Sequence, residues 1–159
     1  MTPDQLHSVS SSELREAIFV PILTYTDAID SKKFERLAGA FHQDARLEFG
    51  PKTARSLFEI IEWMTEAHIQ LTGSQHRLTN FFVDEVTNNT ASTRTYVDAL
   101  FVGGPADEAL TYRDVGIYYD QVTYGDGRWL ITSRQHESLW REGSVMALRA
   151  VADPKGTME

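Results

Sequence analysis

Thr72-Gly73-Ser74-Gln75-His76-Arg77-Leu78-Thr79-Asn80 is where this chain changes period. Before it, apolar residues recur every three to four positions, as on one helix face. After it they alternate, as along a strand. Downstream, residues 75–87, 90–103, 109–123 and 128–140 read as four strands. The connections Thr87-Asn88-Asn89-Thr90, Gly103-Gly104-Pro105-Ala106-Asp107 and Gly125-Asp126-Gly127 have hairpin-turn compositions. Helices first and an antiparallel meander second predict an α+β fold, with helices covering one face of a curved sheet.

Upstream, Ser10-Ser11-Ser12-Glu13 offers an N-cap, and Leu14, Ala17, Ile18, Ile22, Tyr25 and Ile29 keep helical spacing. Pro21 inside that run predicts a kink or two abutting helices. Ser31 restarts a helix through Phe41, residues 44–49 alternate as a short strand, and Gly50-Pro51 breaks it. Residues 54–71 form the next helix, with Leu57, Ile60, Ile61, Met64, Ala67, His68 and Leu71 as its buried stripe. Three N-terminal helices on an antiparallel sheet are therefore expected. Residues 1–9 read as a loose lead-in and 153–159 as frayed, and the tail after Gly143 reads as a short helix or arm.

The length, 159 residues, fits a single domain spanning 1–159, with its core at about 10–141. A formal net charge of −8 argues against a general nucleic-acid surface, which needs clustered Lys and Arg. The absence of cysteine excludes disulfides, thiol nucleophiles and Cys-ligated metal, and fits a cytoplasmic location. No apolar run approaches the roughly 20 residues of a membrane helix, and Met1-Thr-Pro-Asp-Gln5 lacks a signal-peptide layout. No metal spacing among histidines and carboxylates and no phosphate-cradling glycine loop is evident, so no metal and no cofactor are expected.

Asp30 and His76 are the parts of a general-base dyad. A carboxylate bonded to one ring nitrogen leaves the other as a free base. The pair has meaning only if the fold turns both toward one cavity. Asp30 also reads as the N-cap of a helix starting at Ser31, and the two roles are compatible. Tyr25 lies five residues before Asp30, about 140° around a helix, so the two flank a stripe. Strand alternation puts His76, Leu78, Asn80 and Phe82 on one face, and Arg94, Tyr96, Asp98 and Leu100 together on the next strand. The expected cavity wall is Phe49, Trp63, Leu78, Phe82 and Tyr96, with Asn80 orienting substrate or satisfying backbone groups. Asp98 is expected to converge with Asp30 and His76, or to pair with Arg94 or Arg113. By parity Arg134 opposes Trp129 and Ile131, and His68 and His136 read as structural or surface residues.

Taken in order, Tyr25-Thr-Asp-Ala-Ile-Asp30, Phe41-His-Gln-Asp44, His76-Arg-Leu-Thr-Asn80, Ala91 to Asp98 and Gly127 to Arg134 resemble the SnoaL-like branch of the nuclear-transport-factor-2-like (NTF2-like) superfamily. Within it they are most similar to scytalone dehydratase and the bile-acid 7α-dehydratases. The resemblance implies a cone-shaped α+β barrel and homodimerisation through the outer sheet face, for which an apolar face of Phe81, Val97, Phe101 and Ile117 would be the mark. It implies a site of Tyr25, Asp30, His76, Asp98 and Arg134, with Arg141 competing for the last role. The expected activity is a cofactor-free dehydratase or isomerase acting on a hydrophobic, carbonyl-bearing small molecule by proton abstraction. A non-catalytic ligand-binding module, a dioxygenase-type small subunit, and a cyclase or epoxide hydrolase are the alternatives the fold also hosts.

Overall fold

The structure, a computed structural model, describes residues 11–105 and 110–149. The lead-in 1–9, the Ser10 cap and the tail 153–159 lie outside the described residues. Helix α1 (Ser11–Asp30) is followed by a 3₁₀ segment (Phe34–Gly39) and strands β1 (Phe41–Phe49) and β2 (Lys52–Ala54). Helix α2 (Leu57–His68) leads into β3 (Gly73–Val86), β4 (Thr90–Val102), β5 (Thr111–Gly125), β6 (Arg128–Gly143) and the short helix α3 (Met146–Arg149). No described helix is long and apolar enough to cross a membrane.

The four long strands form the expected meander. They belong, however, to a six-stranded sheet ordered β2-β1-β6-β5-β4-β3. The short strand expected at 44–49 is β1, which begins earlier, at Phe41; the unforeseen feature is its pairing, parallel to β6 and antiparallel with β2. A parallel partner has no local sequence signal, because it is met only through a long crossover.

Pro21 neither kinks the chain into two elements nor ends it. Helix α1 runs through it as one 20-residue helix. Ile18, Pro21, Ile22, Tyr25, Ala28 and Ile29 are its buried stripe, packed on β3 and β6. The helix expected at 31–41 is only the 3₁₀ segment, whose N-terminal flank Lys33 makes no side-chain cap. Asp30 is thus the last residue of α1 and does not cap the 3₁₀ segment. Helix α2 is capped by Ser56, whose side chain accepts from the Glu59 N–H at 3.2 Å, while the Glu59 carboxylate accepts from the Arg55 N–H.

Strand parity is broken in three places that matter to the site. Between Thr79 and Phe82 the β3–β4 register slips by one at Asn80, which has φ 47°. In β6, Thr132 and Leu139 are extra residues opposite β5. Each bulge exchanges the faces of the residues beyond it. Phe81 therefore turns inward, stacked on Phe19, and Phe82 outward beneath Arg94. Val97 and Phe101 are core residues too, so three of the four residues expected on an apolar outer face are inside, and only Ile117 is on that side.

Candidate active site

The sheet's inner face and helices α1 and α2 border a half-open cavity of about 1180 Å³, large enough for a molecule of several rings. Tyr25, Phe49, Trp63, His76, Phe101 and Tyr118 are among its lining residues.

Asp30 and His76 meet at the wall of this cavity, where His76 is the lining residue. The end of α1 delivers the Asp30 carboxylate to the start of β3, where it accepts three hydrogen bonds. His76 Nδ1 donates to Oδ1 at 2.7 Å, Ser74 Oγ donates to Oδ1 at 2.8 Å, and the His76 backbone N–H donates to Oδ2 at 2.7 Å. Burial alone would raise the Asp30 carboxyl. The bonds from His76 and Ser74 and the adjacent imidazole outweigh it and hold the group below the usual carboxylate range. With an acceptor fixed at Nδ1, the neutral ring carries its proton there. Nε2, which makes no hydrogen bond to a described residue, is then a lone-pair base. The imidazole is 3% exposed and is clasped by Tyr25 and Phe101 edge-on. Sequence reasoning missed Ser74, although it lies two residues before His76 on the same strand face.

Tyr25 is fully buried against the cavity and donates to Met64 Sδ at 3.6 Å. Burial pushes its hydroxyl up to about 12, against the opposing charge of Arg134 and a hydrogen bond from Tyr118. It is therefore a protonated donor throughout the physiological range. Phe49 and Trp63 line the cavity as expected, their rings 5.7 Å apart.

Other expected site residues lie elsewhere. Asp98 is on the outer face of β4, bound by both prongs of Arg113 at 2.7 Å; the inward residue beside His76 is Ala99. Tyr96 shares that outer face, pairing with Thr79 and Ile117. Phe82 and Asn80 are exposed because of the bulge, and Leu78 packs against the core without lining the cavity. Arg134 does turn inward, because Thr132 resets the parity of β6. It does not reach the cavity. Its guanidinium is wholly buried, paired with Asp120 at 2.7 and 2.8 Å and sandwiched by the rings of Tyr25 and Tyr118. It lies behind the two tyrosines, and Arg141 is the arginine that lines the cavity.

Two histidines read as structural or surface are in the wall. His68 Nδ1 donates to the Met64 carbonyl at 2.8 Å, and burial pulls its pKa down to about 4, so the ring is neutral. His136 lies between Phe49 and Tyr118, over Gly116. A Cβ at Gly116 would come within 2.5 Å of His136 Nε2, so only glycine leaves that seat open. The signal for His136 was parity, and the Thr132 bulge concealed it. No group of three or more His, Asp or Glu among the described residues could hold a metal ion.

The SnoaL-like domain pattern matches residues 10–135. This chain belongs to the SnoaL-like domain family. No curated protein sequence matches it. Among solved structures, a candidate aromatic ring hydroxylase from Novosphingobium aromaticivorans superposes with a TM-score of 0.79 at 24% identity, covering 88% of this chain and 99% of that one. A candidate scytalone dehydratase from the same organism gives 0.74 at 22% identity, covering 81% and 86%. The hexachlorocyclohexane dehydrochlorinase LinA-type3 from Novosphingobium barchaimii gives 0.72 at 17% identity, covering 89% and 92%. At these identities the likeness establishes the shared α+β, NTF2-like fold.

Proposed function

We propose that this SnoaL-like protein is a lyase, most simply a dehydratase, that takes a proton from carbon beside a carbonyl in a hydrophobic ring compound. The observation carrying this reading is the 2.7 Å Asp30–His76 contact at the wall of a large, mostly apolar cavity that His76 lines. His76 Nε2 removes the proton, and the electron pair moves into an enolate. Asp30, bonded at Nδ1, steadies the imidazolium that results. Tyr25, which keeps its proton and lines the cavity edge-on to His76, is the donor for the enolate oxygen. Collapse of the enolate forms the C=C bond as the β C–O bond breaks. The imidazolium returns its proton to the departing hydroxyl, so substrate becomes alkene plus water. Isomerisation would use the same first step, with the proton returned to another carbon.

The scytalone dehydratase and dehydrochlorinase names among the structural neighbours support elimination chemistry by analogy. Proton abstraction can be tested without knowing the leaving group. A bicyclic ketone such as 2-tetralone is incubated in D₂O, and enzyme-catalysed exchange beside the carbonyl is followed by NMR. Exchange that is lost in His76→Ala, with the circular dichroism of the parent retained, is the expected result. Exchange at the parent rate in that variant would remove His76 from the mechanism.

A further inference from the structure

Two imidazoles rest against one phenyl ring in the cavity wall. The Phe101 ring has His76 at 5.5 Å and His68 at 5.7 Å between centroids, and all three residues line the cavity. Proton abstraction uses His76 and leaves His68 without a task. His68 ends helix α2, one turn beyond Met64, whose sulfur accepts from the Tyr25 hydroxyl. His68 thus shares a wall with the base and with the enolate donor.

Helix geometry fixes the position of its proton. His68 Nδ1 lies 2.8 Å from the Met64 carbonyl oxygen, and a carbonyl only accepts, so Nδ1 carries the hydrogen. Nε2 then presents a lone pair. It makes no hydrogen bond to a described residue, on a side chain that is 8% exposed. A buried acceptor left unpaired is costly, and the cavity is where a donor reaches this one. Burial also keeps the ring neutral at neutral pH. His68 therefore neither supplies a proton nor competes for the one His76 removes. It is a fixed hydrogen-bond acceptor.

In the elimination proposed above, the group that fits such an acceptor beside the base is the hydroxyl that departs. Its hydrogen donates to His68 Nε2, which leaves its lone pairs for the His76 imidazolium. Donating that bond raises the electron density on oxygen and makes it a better proton acceptor. As the C–O bond breaks, the bonding pair stays on oxygen and the proton comes from His76 Nε2. The water so formed still donates to His68. A halide or an ether oxygen carries no hydrogen and would set its lone pairs against that of Nε2.

We propose that His68 is a specificity-determining residue, accepting a hydrogen bond from the leaving hydroxyl and so restricting elimination to loss of water. The step rests on the lyase reading; the acceptor at Nε2 rests only on the tautomer and the cavity.

The test uses 4-hydroxy-4-phenylbutan-2-one and its 4-methoxy ether, which eliminate to the same enone, followed by absorbance. Relative to the background rates in buffer, the parent should favour the hydroxy compound by about tenfold or more. His68→Leu, which keeps bulk and removes the acceptor, should bring that ratio close to one. His68→Gln, whose amide oxygen accepts, should retain part of it. A second readout needs no turnover and no change at His68. In His76→Ala, which leaves the probe intact, the ¹⁵N resonance of His68 Nε2 should move upfield on adding the hydroxy compound and stay in place with the ether. A ratio unchanged in His68→Leu would overturn the proposal, since size alone would then exclude the ether. So would an Nε2 resonance that the hydroxy compound does not move, or that both compounds move equally. The expected resonance shift without elimination by the parent would support the acceptor role and count against the lyase reading.

Discussion

Asp30→Asn is the sharpest probe of the dyad, because it removes one charge and almost no volume. Its consequence rests on the three bonds that the carboxylate accepts. If the amide oxygen replaces Oδ1, the NH₂ group faces the His76 backbone N–H, donor against donor. If the oxygen replaces Oδ2 instead, it keeps the backbone N–H, and the NH₂ donates to Ser74 Oγ and His76 Nδ1. The second orientation satisfies every group after two adjustments: the Ser74 hydroxyl rotates, and the imidazole proton moves from Nδ1 to Nε2. The substitution thus converts the base nitrogen into a donor. It also removes the negative charge that stabilises the imidazolium. The same tautomer error in a hydrolase triad costs about 10⁴ in rate, or ~5.5 kcal/mol of transition-state stabilisation. A loss of about 10³–10⁴ in deuterium exchange is expected here on the same grounds. Stability should fall by only about 1–3 kcal/mol, the range for weakening hydrogen bonds to a charged group. ¹⁵N NMR of the His76 ring should show the proton shifted to Nε2. A variant exchanging within tenfold of the parent, or one whose ring keeps its proton on Nδ1, would refute the reasoning.

Four other outcomes are expected from the geometry. His68 has its folded pKa depressed to about 4 from 6.5, so the unfolded chain binds the extra proton first, and stability falls as pH drops between those values. The loss approaches about 3 kcal/mol at the acid end, and chemical denaturation across that range should show it diminished in His68→Leu. Gly116→Ala should destabilise by about 1–3 kcal/mol through collision with the Glu137 carbonyl and displacement of His136, read as a lowered Tm. Asp120→Ala strands the buried Arg134 charge and should cost about 3–5 kcal/mol in denaturant titration. Asp98→Ala removes only outer-face ion pairs, with Arg113 and Arg77; exchange should stay within about twofold of the parent and stability within roughly 1 kcal/mol, since partly exposed pairs contribute little. Loss of exchange in the Asp98 variant would return that carboxylate to the site.

Local and periodic features are the ones legible along the chain. The change of period at Ser74 specifies helices before strands, because side-chain spacing reports backbone geometry directly. The turn compositions specify the meander, and the stripes of α1 and α2 specify which faces turn inward. Asp30 and His76 are legible as a pair through the order of the surrounding motifs. Their contact requires the end of α1 to arrive over the first residues of alternation in β3, before any bulge intervenes. Beyond the bulges, parity read along the chain assigns faces wrongly: Phe82 turns outward, Arg134 inward and His136 into the cavity wall. One inserted residue reverses every side chain after it, and nothing in local composition marks Thr132 or Leu139 as that residue. Asp98 fails for the converse reason. Its strand is regular, and the inward position next to His76 is Ala99, one residue on. Two features come from the folded chain and from nothing short of it: the parallel docking of β1 on β6, and the single row linking His76, Ala99, Asp114 and Arg141. Both depend on register between strands, which is fixed by packing across the sheet and not by the order of residues along any one of them.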